Sequence, residues 1–445
     1  MANVAVYSGY PRTGIEKTDF AAYRSAMGYN SGNLIFKVGS LFSTCRASDQ
    51  VRYTTLSKED IEELNSDYDY VLFAGANLIN PTLDPRRFQD LAEGINRLRI
   101  PFVTLSVGAQ ASIDYDASLH RRLAPALQRF LQVLADKTPI LGVRGNYTAE
   151  ILNKLGITNL APVGCPSMFS RGITPACYNY VPTTRSVACN IAPAKRLGPR
   201  CFAHKILREA AANDHFVVEQ TLPLAAKLLH FPKAVTARDH SDFSHIIDKL
   251  FRQSRLRFFS SYATWLSFLS ERTFSFGMRI HGNIAAALAG TACHIVYHDS
   301  RVREIAELFE LPRSDFRKLL HNEGGLSLAG YLCERTDMRV FQSLFLKRLL
   351  FFRDFLDANG VNHNLDSDGA LLTDHEGDLS ADQSELSWSS ERAVDLTRAS
   401  SDIAGVLDHA GNWASAFAVR GLCGVHAIQT ALHSRRSRNH SKGQV

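Results

Sequence analysis

The chain has 445 residues, 45% hydrophobic and 21% charged, and its 50 basic and 44 acidic side chains leave a formal net charge of +6. That length can bury two cores, and so mild and dispersed a positive balance lacks the dense basic stripe of a nucleic-acid binder, which removes nucleic acid as a partner. No apolar run is long enough to span a bilayer, and the eight cysteines contain no Cys-x-x-Cys pair, so neither a zinc site nor a redox dithiol is indicated and reduced, buried thiols are expected.

The first strand is expected at once, Val4 to Tyr7. No charged leader and apolar run precede it, so no cleaved secretory signal is expected and a cytoplasmic location is. Strands at Tyr70 to Phe73, Phe102 to Val107, Ile140 to Val143 and Ala161 to Val163 then alternate with helices such as Phe88 to Leu98 and Leu119 to Leu134. That alternation predicts an α/β domain with a largely parallel sheet. A loop rich in Pro, Thr and Tyr, about Gly172 to Thr184, separates it from a second series: Val187 to Ile191, Phe216 to Glu219, Arg257 to Phe259, Phe274 to Phe276 and His294 to Tyr297. The expected architecture is two Rossmann-like domains facing across a cleft, an N-terminal one over 1–175 and a C-terminal one over 185–360. The dinucleotide fingerprint G-x-G-x-x-G is absent. Phe341 to Leu356, strongly apolar with Lys347, Arg348 and Arg353 interspersed, reads as a helix that either lies on a membrane surface or is a domain-closing helix packed on the core. Residues 361–445 form a polar tail, with an acidic block from Asp366 to Glu391 and a basic end, and are expected to be disordered.

The richest stretch runs from Thr273 to Arg301. Phe274 to Phe276 ends a strand, Gly277 permits a turn, Ile284 to Leu288 reads as a helix that Gly290 stops, and His294 to Tyr297 is the next strand. In such a unit the free N–H groups at the helix start, at Gly282 and Asn283 among others, face the carboxyl edge of the sheet, where the helix dipole favours negative charge. Arg279 and His281 sit there. An arginine fork beside a titratable imidazole suits a small anion with phosphate or carboxylate oxygens that must also exchange a proton, and phosphoenolpyruvate is such a molecule. His298, Asp299 and Ser300 also end a strand, where open α/β sheets bind ligands, although Asp299 reads equally well as a helix N-cap. Arg144 ends another strand and reads either as an anion ligand or as the partner of a carboxylate. Gly164 to Ser167 reads as a turn.

Gly277-Met278-Arg279-Ile280-His281-Gly282-Asn283 followed by His298-Asp299-Ser300-Arg301 resembles the signature of the polysaccharide pyruvyl transferase family. Asn30-Ser31-Gly32-Asn33, Gly75-Ala76-Asn77, Ser106-Val107-Gly108-Ala109-Gln110, Val143-Arg144-Gly145 and Gly164-Cys165-Pro166-Ser167 fall in that family's order, so the resemblance covers roughly residues 3 to 312. It implies a two-domain frame similar to the GT-B glycosyltransferases. It also implies transfer of a pyruvyl group from phosphoenolpyruvate to two hydroxyls of one sugar in a surface polysaccharide or its precursor, forming a cyclic ketal and releasing phosphate. His281 would be the acid and Arg279 the electrostatic anchor. Gly282, Asn283, His298, Asp299 and Ser300 of the C-terminal domain, together with Arg144 of the N-terminal one, would join Arg279 on the donor. Asn33 and Asn77 would face the acceptor, in the N-terminal domain. The family often has Asp where this chain has Asn33, and a second Gly where it has Ala76, so no acid–base role attaches to Asn33. The scheme needs no metal and no cofactor beyond the donor substrate. An acceptor on a lipid carrier would bring the enzyme peripherally to a membrane. Two rival classes share the frame: a glycosyltransferase using a nucleotide sugar, and a non-catalytic module that binds the anion or glycan.

Overall fold

The computed structural model describes residues 1–7, 30–192, 201–220, 241–259, 262–320 and 327–373. Two parallel sheets organise them. The first has the strand order β2-β1-β3-β4, formed by Gln50–Tyr53, Asn3–Tyr7, Tyr70–Phe73 and Phe102–Thr104. The pair β5 (Leu141–Val143) and β6 (Leu160–Pro162) adjoins it through a parallel bridge from Val107 to Val143. The second sheet has the order β12-β11-β10-β7-β8-β9, from Arg313–Asp315, Cys293–Tyr297, Phe274–Gly277, Val187–Asn190, Phe216–Val218 and Leu256–Arg257. β1, β3, β4, β7, β10 and most of β11 are buried apolar runs, as expected of strands covered by helices on both faces. The fold is α/β with two Rossmann-like halves, and residues after the carboxyl ends of both sheets meet, the arrangement called GT-B.

The helices of eight residues or more are α1 (Gly32–Thr44), α2 (Lys58–Asp67), α3 (Pro85–Arg97), α4 (Pro125–Lys137), α5 (Asn146–Asn153), α6 (Phe202–Ala212), α7 (Ser241–Arg252), α8 (Tyr262–Ser270), α9 (Ile280–Leu288), α10 (Ser300–Leu308) and α11 (Arg339–Ala358). Three expected elements come out differently. The single helix over Leu119 to Leu134 is a short 3-10 turn, Leu119–Arg122, followed by α4, because Pro125 forces Ala124 into an extended conformation and opens α4 at its own first position. The strand over Phe102 to Val107 stops at Thr104. Ser106 there turns its Oγ to donate to the Gly164 carbonyl at 2.7 Å, and Val107 crosses to β5. The helix over Ile284 to Leu288 begins four residues earlier, because Asn283 Nδ2 donates to the carbonyls of Gly277 and Arg279 and closes its first turn. β2 and β12, which lie at sheet edges, were not anticipated: β2 is exposed to half-buried, β12 is half-buried apart from the buried Asp315, and neither carries an apolar period.

The apolar stretch near residue 341 is the helix α11, and its stripe of Phe341, Phe345, Leu349, Phe352, Phe355 and Leu356 is buried. Phe352 stacks on Phe169 at 4.7 Å between centroids, so the reading as a core-closing helix is the one that holds. None of the described helices is long and apolar enough to cross a membrane. Past α11 the chain returns to the first sheet, where Asn359 Oδ1 accepts from the Ile140 N–H and Nδ2 donates to the Ile140 carbonyl, both at 3.1 Å.

Residues 361–373, with which the tail was expected to begin, instead pack on α1. Asn364 is fully buried; its Nδ2 donates to the carbonyls of Phe42 and Thr373, and its Oδ1 accepts from the Thr373 N–H and hydroxyl. Side-chain bonding there offsets the ordering entropy that a polar segment otherwise cannot meet. Asn364→Ala strips partners from buried groups at once and is expected to destabilise the protein by about 1–3 kcal/mol, read as a lower urea midpoint; an unchanged midpoint would mean the segment contributes nothing to the body. The expectation for 374–445 lies outside the described residues.

Candidate active site

In each sheet the strand order reverses once. β1 and β3 flank the reversal in the first sheet, and β7 and β10 flank it in the second. Open α/β sheets bind ligands at the carboxyl ends beside such a reversal, because the connections leave there in opposite directions and open a crevice. In this chain the two crevices abut. Ser31, which precedes α1, donates its N–H to the Gln220 carbonyl just past β8 at 2.7 Å. Gly32 packs so closely that an added Cβ would lie 3.2 Å from the His281 Cβ and 2.7 Å from Gln220 Oε1.

Arg279 is placed by a turn that tolerates little else. Gly277 has φ +152, and a Cβ there would come 2.1 Å from the Asn190 carbonyl oxygen, so the strand can end against β7 only with glycine at this position. Asn190 Oδ1 accepts from the Arg279 N–H at 2.6 Å, and Arg279 Nε donates to the Ile191 carbonyl at 3.1 Å. Nη2 is buried with no hydrogen-bond partner among the described residues. Burial pushes the guanidinium pKa down to about 10, with Glu219 opposing.

Arg144 follows β5 and is 1% exposed. Nη1 donates to Asn77 Oδ1 at 3.3 Å, the guanidinium carbon lies 5.4 Å from the Phe36 ring centre, and Nε and Nη2 are buried without a partner among the described residues. Among the described residues no carboxylate forms an ion pair with this arginine. Burial depresses its pKa.

His281 lies in the first turn of α9, within the electrostatic reach of both. It is buried, its Nε2 is 3.6 Å from Cys165 Sγ, and its ring centre is 5.8 Å from that of Phe36. Burial, and then the guanidinium groups of Arg144, Arg279 and Arg301, push its pKa well below the ordinary imidazole range. The imidazole is therefore neutral at pH 7 in the free protein.

The other sequence candidates divide. Asp299 is the N-cap of α10, accepting from the Val302 N–H at 3.1 Å, and it also holds Arg301 Nε at 3.1 Å. Burial alone would raise the Asp299 pKa, but Arg301 and His298 more than offset this and hold it below the usual range. His298 Nδ1 is buried without a partner among the described residues, and burial lowers its pKa. Ser300 is committed elsewhere: its Oγ donates to the Ala109 carbonyl at 2.9 Å and accepts from the Ala111 N–H at 2.8 Å, tying α10 to the first half. The side chain of Asn283 is likewise used on the turn before α9. Gly282 leaves room for the amides of Gln220 and Asn190, 2.4 and 3.0 Å from where its Cβ would be. Asn77 is exposed beside Arg144, and Asn33 lies in the first turn of α1 next to Gly32.

Four neighbours were not anticipated as site residues: Asn190, Gln220, Cys165 and Glu304. Asn190 ends β7 and Gln220 follows β8, and that position at the carboxyl end of a strand is the signal that could have marked them. Glu304, on α10, accepts from the Thr148 N–H and hydroxyl across the junction of the halves, and burial pushes its pKa up to about 8.

Taken together, Arg144 Nε and Nη2, Arg279 Nη2, His298 Nδ1, Ser31 Oγ and both amide atoms of Gln220 are buried polar atoms with no partner among the described residues. Native proteins rarely leave such groups unsatisfied, and a buried guanidinium without a counter-charge is costly. An anionic ligand with several acceptor oxygens is the chemistry that offsets that cost. Among the described residues no group of three or more His, Cys, Asp or Glu could hold a metal ion.

A family model described as polysaccharide pyruvyl transferase matches residues 23–300. Among curated proteins none matches the chain. Solved structures similar to it include HepE of Anabaena in complex with UDP-glucose, at 8% identity and a TM-score of 0.41 over 81% of this chain and 100% of that one. A UDP-GlcNAc 2-epimerase of Methanocaldococcus jannaschii is similar at 10% identity and a TM-score of 0.37, over 78% and 98% of the two chains. UGT2 of Phytolacca americana is similar at 10% identity and a TM-score of 0.36, over 87% and 99%.

Proposed function

The chain belongs to the polysaccharide pyruvyl transferase family, and we propose that its own reaction is transfer of a pyruvyl group from phosphoenolpyruvate to a sugar of a surface glycan or its lipid-linked precursor. The observation that supports this donor is the set of buried, unpartnered guanidinium N–H groups of Arg144 and Arg279 around His281. A molecule carrying phosphate and carboxylate on one carbon brings acceptor oxygens for both arginines and places its methylene within a small distance of them.

The chemistry follows from what a ketal needs. His281 gives a proton to the methylene carbon, and positive charge develops on the carbon that bears phosphate and carboxylate. One sugar hydroxyl adds there and gives its proton back to the His281 imidazole. The C–O bond to phosphate then breaks, and a second hydroxyl of the same sugar closes the ring and gives its proton to the departing phosphate. Arg279, Arg144 and the N–H groups at the start of α9 hold the anionic oxygens throughout, a preorganised electrostatic role. Neutral His281 becomes an acid once the donor has arrived. Its pKa is depressed by burial and by Arg144, Arg279 and Arg301, and a bound anion offsets the arginine part.

Phosphoenolpyruvate is expected to stabilise the folded protein by about 2.7 kcal/mol at a hundredfold excess over its dissociation constant, with pyruvate or inorganic phosphate alone doing so poorly. With donor and a glycan acceptor, the product is an acid-labile, base-stable pyruvate ketal with loss of the vinyl signal by NMR. A retained vinyl group with phosphate release would instead mean enolpyruvyl transfer to a single hydroxyl. Stabilisation and turnover with a nucleotide sugar, and none with phosphoenolpyruvate, would replace the reading with glycosyl transfer.

A further inference from the structure

Cys165 is fully buried and immobile for identifiable reasons. Gly164 before it adopts φ +83 and would drive a Cβ to 2.4 Å from the Phe309 ring, while its carbonyl accepts from Ser106 Oγ at 2.7 Å and its N–H donates to the Val143 carbonyl at 3.1 Å. Pro166 follows and opens a short 3-10 turn, in which the Met168 N–H donates to the Cys165 carbonyl at 3.0 Å. The thiol so held touches two polar groups: Ser167 Oγ at 3.0 Å and His281 Nε2 at 3.6 Å. We propose that Cys165 is a positioning residue for His281, whose S–H donates to Nε2 and so keeps the neutral ring's proton on Nδ1.

The surroundings of the sulfur allow that direction. Ser167 Oγ lies 3.0 Å away and either atom of that pair can donate; with the hydroxyl as donor, the acceptor side of the sulfur is occupied and S–H is left for the imidazole. Burial keeps the thiol protonated, so a donor is always present. A neutral imidazole has one N–H, and the partner of one nitrogen decides where it sits. A thiol has a further use at this position. When the ring gains a second proton, Nε2 becomes a donor; the sulfur can then accept and turn its own hydrogen to Ser167. A buried imidazole can thereby change charge without stranding an N–H, which an apolar neighbour would not allow.

The structural part of this inference stands apart from the choice of donor, and only its effect on turnover rests on the reaction proposed above. Wild type, Cys165→Ala and Cys165→Ser are labelled with 15N-histidine, and the His281 resonances are assigned by their loss in His281→Gln. In the substrate-free wild type, Nδ1 is expected in the protonated range and Nε2 in the unprotonated one. Cys165→Ala mixes the two tautomers and lowers kcat by about tenfold to a hundredfold, as loss of an imidazole's outer partner does, with little change in KM for phosphoenolpyruvate. Cys165→Ser, whose hydroxyl can also donate and accept, restores the single tautomer and most of the turnover. A wild-type ring protonated at Nε2, an unchanged tautomer in Cys165→Ala, or a serine variant as mixed as the alanine one would each overturn the assignment. If the tautomer shifts as described but no variant nor wild type consumes phosphoenolpyruvate, the positioning role survives and the donor does not.

Discussion

His281→Gln is expected to lower turnover by about two to four orders of magnitude, the range for removing a general acid, while leaving donor affinity nearly intact. Glutamine keeps a polar head of similar reach, so Arg144 and Arg279 remain able to hold the anion, but it cannot deliver a proton to carbon. The free-protein pKa of His281 lies well below the ordinary value because of burial and the three arginines, and this has two measurable consequences with signs that can be worked out. An unfolded histidine takes up its proton near pH 6.5, whereas the folded one resists. Below about that pH the unfolded state holds more protons, so stability falls as pH drops through that window, and His281→Gln removes this share of the loss. Donor binding works the other way. The anion raises the His281 pKa, so binding takes up a proton and tightens as pH falls, which calorimetry in buffers of different ionisation enthalpy reads directly. A glutamine variant with near wild-type turnover, or donor binding without proton uptake in the wild type, would remove His281 as the acid.

Much of the frame was legible because buried parallel strands announce themselves as short apolar runs. β1, β3, β7, β10 and β11 are such runs, and Arg279 and His281 could be placed at a helix start because the turn that carries them contains Gly277. What was not legible shares one property, namely dependence on partners distant in sequence. β2 and β12 are edge strands whose residues pair backbone to backbone and carry no period. Asn364 is a polar residue whose side chain is satisfied by α1, more than three hundred residues earlier, so composition alone assigned its segment to the tail. Ser300 matches the family's motif by position, yet its hydroxyl ties α10 to the segment Ala109 to Ala111. Its expected effect on donor binding is indirect, through the fit of the two halves. Cys165 could not be recognised from its spacing to the other cysteines, since its significance lies in meeting His281 across 116 positions of chain.

Arg279→Lys is the complementary experiment, with its loss expected in binding instead of turnover. The guanidinium uses Nε on the Ile191 carbonyl while Nη2 is buried without a partner among the described residues, so one planar group is anchored to the protein on one edge and leaves the other for the proposed donor. An ammonium on a flexible stem keeps the charge but cannot do both. Either it stays on Ile191 and leaves the anion, or it follows the anion and strands a buried carbonyl. Losing one charge-assisted hydrogen bond costs about 1.5–3 kcal/mol, which corresponds to a donor affinity weaker by about tenfold to a hundredfold or slightly more. The kcat at saturating donor should fall much less, because His281 and Arg144 stay in place and the lost contact serves ground state and transition state alike. The contrast between the two variants is the decisive feature. If Arg279→Lys lowers kcat as severely as His281→Gln and leaves KM alone, the arginine acts only on charge that develops in the transition state, and the anchoring role passes to Arg144. If neither KM nor kcat moves, the anion does not sit at the start of α9, and the unpartnered guanidinium there needs a different occupant.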